Sequence, residues 1–139
     1  MKQREIELKD YINKEPVSIH CEETLVKAEN LMMMKNCRHL PVTEKGKVIG
    51  VISDRDLKIL NCMNNLPREE KKLKDILNPE FYTVEIDTNI ADVVKKMYNE
   101  RIDYALVMKN GNFIGIITHI DILQAFLDCI ELLKKQTKN

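Results

Sequence analysis

Shifted against itself by 65 positions, the chain repeats: Leu8-Lys9-Asp10 falls on Leu73-Lys74-Asp75 and Asn13 on Asn78, with no gap between Leu8 and Leu60. At the far end Val48-Ile49-Gly50-Val51-Ile52-Ser53 falls on Phe113-Ile114-Gly115-Ile116-Ile117-Thr118, with Met32 on Met97, Gly46 on Gly111 and Asp56 on Asp121. An ungapped match of this length, with substitutions that keep apolar character, indicates duplication of one structural unit. Two copies of so long a period fit a pseudo-twofold pair better than an open solenoid. The expected division is repeat 1 at 1–62, a polar linker at 63–72 broken by Pro67, and repeat 2 at 73–139 with an extended C-terminal helix.

Each copy reads as helix turn, strand, helix, strand, strand, helix. Val17-Ser18-Ile19 and Tyr82-Thr83-Val84 are short β-favouring runs. Thr24 and Asn89 are N-cap residues before amphipathic helices carrying Leu25, Ala28, Leu31 and Met32 in one copy and Ile90, Val93, Val94 and Met97 in the other. Leu40-Pro41-Val42 and Ala105-Leu106-Val107 then pass through Lys45-Gly46 and Asn110-Gly111 into the apolar strands 48–52 and 113–117, the pattern of a hairpin. Asn-Gly is the stronger turn signal, because both residues tolerate positive φ. A helix is expected to open near Ser53 and again near Thr118.

Composition narrows the functional classes. With 44% apolar and 32% charged residues, the chain can bury a core. Twenty-two basic residues balance 22 acidic ones, so no basic field draws it to nucleic acid or anionic lipid. The polar N-terminus and the lack of a long apolar run lead to the expectation of a cytoplasmic protein with no membrane partner. Cys21, Cys37, Cys62 and Cys129 form no C-x-x-C pair and read as reduced thiols. His20, His39 and His119 lack ligand spacing, so no metal site is expected. There is no nucleophile elbow, Walker A loop, H-E-x-x-H or G-x-G-x-x-G element, so neither catalysis nor a catalytic cofactor is expected.

The strand-to-helix corner carries the most chemistry. Ser53 and Thr118 each follow a buried strand, and an aspartate, Asp56 or Asp121, lies three residues on. A helix start offers N–H groups to an anion, the hydroxyl can donate to a phosphate or ribose oxygen, and a carboxylate can accept from both hydroxyls of a ribose. The same pattern is also that of a capping residue with an acidic first turn, and the residues alone leave both readings open.

Val17–Ile19, Cys37-Arg38-His39-Leu40-Pro41-Val42, Gly46 and Gly50-Val51-Ile52-Ser53-Asp54-Arg55-Asp56-Leu57 together resemble a cystathionine-β-synthase (CBS) domain. The second copy resembles another, through Gly111, Phe113 and Gly115-Ile116-Ile117-Thr118-His119-Ile120-Asp121-Ile122-Leu123. The resemblance spans about Leu8 to Phe126, so no attached enzyme or transporter domain is expected. It implies an α+β fold of two β-α-β-β-α repeats packed sheet to sheet with pseudo-twofold symmetry, a Bateman module. It further implies a non-catalytic sensor whose clefts take an adenosine-containing metabolite: AMP, ADP, ATP or S-adenosylmethionine. In that frame the base meets Ser18, Ile19, Thr83, Val84 and Tyr104. The ribose and phosphates meet Ser53, Asp56, Thr118 and Asp121, and Arg38 and His39 meet phosphates, often across the repeats. In the second copy Asp103-Tyr104 stands where Arg38-His39 stands in the first. An anionic nucleotide is therefore expected to prefer the cleft built around Thr83, Thr118 and Asp121.

Ile122, Leu123, Phe126, Leu127, Ile130 and Leu133 recur at helical spacing before a basic tail, more than one repeat needs to close its core. A homodimer is expected to cover them. Met32-Met33-Met34 reads as core filling with an exposed edge. The expected function is regulation of an unidentified partner protein by ligand binding between the repeats, with a ligand-free dimerisation scaffold as the alternative.

Overall fold

The computed structural model describes residues 5–13, 15–63 and 71–137. They form two compact units, Val17–Phe81 on the one hand and Met1–Pro16 with Tyr82–Asn139 on the other.

The unit Val17–Phe81 contains β1 (Ile19–His20), α1 (Leu25–Lys35), β2 (His39–Glu44), β3 (Lys47–Ser53), α2 (Asp54–Asn61) and a 3₁₀ turn, Leu73–Asp75. The strand order is β1-β2-β3, with β1 parallel to β2 and β3 antiparallel to it. Thr24 opens α1 as its residue type requires, its hydroxyl oxygen accepting from the Lys27 N–H at 3.3 Å. Asn36 closes it in the left-handed conformation at φ 50. Leu25, Ala28 and Met32 turn inward onto Ile19, Leu40, Val42, Ile52 and Leu57. Met33 and Met34 are exposed, so only the first of the three methionines fills the core.

The second unit contains β4 (Thr83–Glu85), α3 (Ile90–Glu100), β5 (Tyr104–Lys109), β6 (Asn112–Thr118) and α4 (His119–Thr137), with a 3₁₀ turn at Leu8–Asp10. Its sheet has the same order and directions. Asn89 caps α3 by accepting from the Ala91 N–H at 2.8 Å. Both hairpins close through two residues of positive φ, 51 and 78 at Lys45-Gly46 and 52 and 80 at Asn110-Gly111, the pairing of a type I′ turn. α4 runs for 19 residues against 8 in α2.

The first strand begins at Ile19, two residues later than the run Val17-Ser18-Ile19 suggests, whereas β4 begins at Thr83. Pro41 explains the difference. Its counterpart Leu106 donates its N–H to the Tyr82 carbonyl at 2.9 Å, and a proline at that position has no N–H to give Val17.

The compact units do not coincide with the linear repeats. Leu8, 1% exposed, lies in the core of the second unit with Val84, Val93, Met97 and Ile117. Leu73, fully buried, lies in the core of the first with Ile52 and Leu57. Each Leu-Lys-Asp turn thus completes the unit of the other repeat. Asn13 pairs with Ile116 and Asn78 with Val51. A Cβ on Gly115 would stand 2.7 Å from the Asn13 carbonyl oxygen, and one on Gly50 would stand 2.8 Å from that of Asn78, so these crossings require glycine. Of the linker expected at 63–72, residues 64–70 lie outside the described residues. Its last two are already engaged: the Lys71 carbonyl accepts from the Leu25 N–H at 3.3 Å, and Lys72 bridges to Thr24.

Candidate functional site: the strand-to-helix corners

Sheet topology gathers the candidate residues of each unit toward one sheet end. The first strand of each unit starts toward the sheet end where the second strand starts and the third finishes, but Ser18, before Ile19 level with Val42, and Thr83, level with Leu106, lie about two residues in from that end. At the end itself His39 opposes Ser53, and Tyr104 opposes Thr118. From Ser18 or Thr83 the corner is two strand spacings across the sheet, about 10 Å, and two residues along it, about 7 Å.

At the first corner Ser53 and Asp56 close a capping box. The Asp56 N–H donates to Ser53 Oγ at 3.0 Å and the Ser53 N–H donates to Asp56 Oδ2 at 2.9 Å. The hydroxyl acts as an acceptor, and its own proton is left for another group. Asp56 is exposed, and its Oδ1 makes no hydrogen bond among the described residues. The Asp54 N–H donates to the Arg38 carbonyl at 2.8 Å, which brings the start of β2 against the corner.

The second corner is built differently. The Thr118 N–H donates to Asp121 Oδ2 at 2.8 Å, but here the Thr118 hydroxyl donates to the same oxygen at 3.3 Å. Asp121 is half-buried where Asp56 is exposed. The His119 N–H donates to the Asp103 carbonyl at 3.1 Å, the counterpart of the Arg38 contact.

The base candidates divide by exposure. Ser18 and Thr83 are exposed, Ile19 and Val84 are buried, and Tyr104 is half-buried. Ser18 and Ile19 line a groove of about 440 Å³ between β1 and α1, together with Asn30, Leu31 and Met34. Arg38 lines a separate groove of about 380 Å³ with Cys37, Asp54 and Leu57. Arg38 is exposed, whereas His39 is 8% exposed and the only buried polar or charged side chain among the described residues. The Arg38-His39 pair thus offers its guanidinium, not its imidazole, to solvent. Burial raises the pKa of the half-buried Cys37 thiol, which favours the protonated form.

The sequence did not signal the polar contacts that fasten the exchanged turns. Glu22 accepts from Lys72 Nζ at 2.7 Å and from Lys74 Nζ at 2.8 Å, and these hydrogen bonds, Lys72 first, hold its carboxyl down at about 2. In the second unit the Tyr11 hydroxyl donates to Asp128 on α4 at 2.5 Å. Burial first, and this bond second, push the Tyr11 phenol up to about 12. No described helix is long and apolar enough to cross a membrane, and no three described His, Cys, Asp or Glu residues stand close enough to hold a metal ion.

The model of the CBS domain matches residues 8–60 and again 73–128, the two copies found by self-alignment. The chain belongs to the CBS domain family. Among solved structures, the CBS domain pair of protein MJ0100, in complex with 5′-methylthioadenosine and S-adenosyl-L-methionine, is similar with a TM-score of 0.77 and 26% identity, covering 87% of this chain and 99% of that one. A CBS-domain-containing protein of Agrobacterium tumefaciens shares the fold, with a TM-score of 0.76 and 18% identity over 85% of this chain and 89% of that one. The L-aspartate semialdehyde sulfurtransferase of Methanocaldococcus jannaschii is 27% identical over 121 residues, 86% of this chain but 23% of that protein. The chain spans between 23% and 43% of three such curated relatives. What the CBS pair shares with the sulfurtransferase is therefore a minor part of that enzyme.

Proposed function

We propose that this CBS pair is a non-catalytic regulatory module that binds an adenosine-containing metabolite at its strand-to-helix corners and thereby alters the activity of a partner protein. The observation that carries the reading is the recurrence of a hydroxyl and an aspartate at the same sheet end in both units, in a family where a 26% identical pair holds two adenosine derivatives. Asp121 and Asp56 hold the ribose through the oxygens not used for capping. Ser18 and Thr83 stand beside the base with Ile19, Val84 and Tyr104, and the Arg38 guanidinium meets phosphate where the ligand has one. Regulation then requires different ligand affinity in two states of the module, which self-association through α4 supplies if the ligand favours one assembly.

The second reading is a ligand-free dimerisation scaffold. It is favoured by the complete capping box at Ser53 and Asp56, which accounts for both residues without a ligand. Melting the protein with adenosine, AMP, ADP, ATP and S-adenosylmethionine separates the two, because a ligand specific to the folded state stabilises it by about 2.7 kcal/mol at a hundred times its Kd. A melting shift with at least one of the five is expected. No shift with any of them at millimolar concentration supports the scaffold.

A further inference from the structure

The groove of about 380 Å³ that Arg38 lines lies between α1 and α2 of the first unit. Its floor is apolar. Met32 and Leu57 are 5% and 2% exposed, and burial favours the uncharged form of the half-buried Cys37 thiol. Its charges are matched within the fold with one exception. Lys58 bridges to Asp54 at 3.1 Å and Glu29 accepts from Asn61 Nδ2 at 2.6 Å, whereas the Arg38 guanidinium makes no hydrogen bond or ion pair among the described residues. The duplication shows that the fold does not require this cation. In the second repeat Met97 and Ile122 keep the apolar positions of the floor, but Asp103 stands for Arg38, Leu123 for Lys58 and Phe126 for Asn61. What Arg38 gives the fold is its backbone carbonyl, which accepts the Asp54 N–H.

We propose that this groove binds an apolar monocarboxylate, a medium-chain or aryl acid, with its body on Met32, Leu57 and Cys37 and its carboxylate on the Arg38 guanidinium. A cavity of this size with an apolar floor and few placed polar groups has the form of a small-molecule site. A guanidinium presents paired N–H donors that match the two oxygens of a carboxylate. Charge fixes the class of ligand. One unmatched cation balances a monoanion, while the second charge of a phosphate monoester would face Asp54, whose partner Lys58 is already engaged. A neutral ligand leaves the guanidinium unused, and an amine meets it as a like charge. The site needs nothing of the adenosine reading and shares only Arg38 with it.

The test is a titration of the full chain, labelled with carbon-13 at the methionine methyl groups, with octanoate, octanol and octyl phosphate. Met32 and Met33 line this groove, Met34 lines the one between β1 and α1, and Met97 and Met108 lie in the second unit, so the methyl shifts report the place of binding. Octanoate is expected to shift Met32 and Met33, to leave Met97 and Met108 in place, and to bind about tenfold more tightly than octanol. Arg38→Gln, at an exposed position whose backbone bond it keeps, is expected to lose that tenfold for octanoate and to bind octanol as the wild type does. Met32 and Met33 unmoved at millimolar octanoate, or a shift confined to Met34, overturns the site. Octanoate binding equally to the wild type and Arg38→Gln overturns the part given to the guanidinium, and tighter binding of octyl phosphate than of octanoate overturns the carboxylate.

Discussion

At both corners the carboxylate has a partner within the fold before any ligand arrives. Asp56 and Asp121 each accept a backbone N–H, so removing either costs cap stability of about 1 kcal/mol as well as any ligand contact. Alanine at these positions cannot separate capping from binding, but asparagine can. Asp121→Asn keeps a carbonyl oxygen for the Thr118 N–H while giving up the charge and one acceptor. It is expected to melt near the wild type and to bind adenosine on the order of a hundredfold more weakly, from two charge-assisted hydrogen bonds weakened or lost. Calorimetry that finds its adenosine affinity unchanged assigns Asp121 to capping alone. The residues of the corners were legible in the sequence because both readings need a hydroxyl and a carboxylate three apart. Their inequality was not, because whether the hydroxyl accepts from an N–H, as Ser53 does, or donates to the carboxylate, as Thr118 does, depends on a side-chain rotation that residue type leaves open. The burial of His39 was likewise hidden, since a histidine beside Arg38 reads as surface until the hairpin places it inside the sheet.

Elements were read most directly where local chemistry alone decides them. Thr24 and Asn89 cap the helices they precede, and Gly46 and Gly111 take the positive φ their turns demand. What single-copy patterns could not show is how an element is tied to one distant in sequence. The bond from Tyr11 to Asp128 joins the N-terminal segment to α4 across 117 positions. Its pH dependence follows from the raised phenol. A group whose pKa is about 12 folded and about 10 unfolded adds stability that is complete below pH 10 and lost as the pH rises through 12. Tyr11→Phe is therefore expected to lower stability near neutrality by about 1 kcal/mol, the bond being partly open to solvent. Denaturant titrations of both proteins between pH 8 and pH 12.5 should show that difference closing above pH 10. A difference that persists undiminished to pH 12.5 would mean that it does not depend on the phenol proton and so does not come from the bond to Asp128.

Over the whole molecule, the duplication announces two units but conceals how they are composed. Leu8-Lys9-Asp10 and Leu73-Lys74-Asp75 are identical triplets, so nothing in them says which core each leucine enters. Gly50 and Gly115 carried the missing signal, a glycine in mid-strand where another backbone crosses, but from the sequence they read only as part of the strand. The exchange has a consequence for autonomy. A chain of residues 1–62 retains Leu8 without its core and lacks the Leu73 turn that closes its own, and a chain of residues 73–139 has the converse defect. Vacating a buried leucine site costs about 2–5 kcal/mol, a large part of the total stability of a domain this small. Neither half is expected to show cooperative unfolding at a concentration where it is monomeric. An equimolar mixture is expected to recover the circular dichroism of the intact chain, because each half brings the turn the other lacks. Leu8→Ala in the intact chain should then loosen amide protection first around Val93 and Met97, in the second repeat, although the substitution lies at the start of the first. Cooperative melting of monomeric 1–62 alone, or loss of protection centred on Leu25 and Ile52 instead, would show that each turn serves its own repeat in solution.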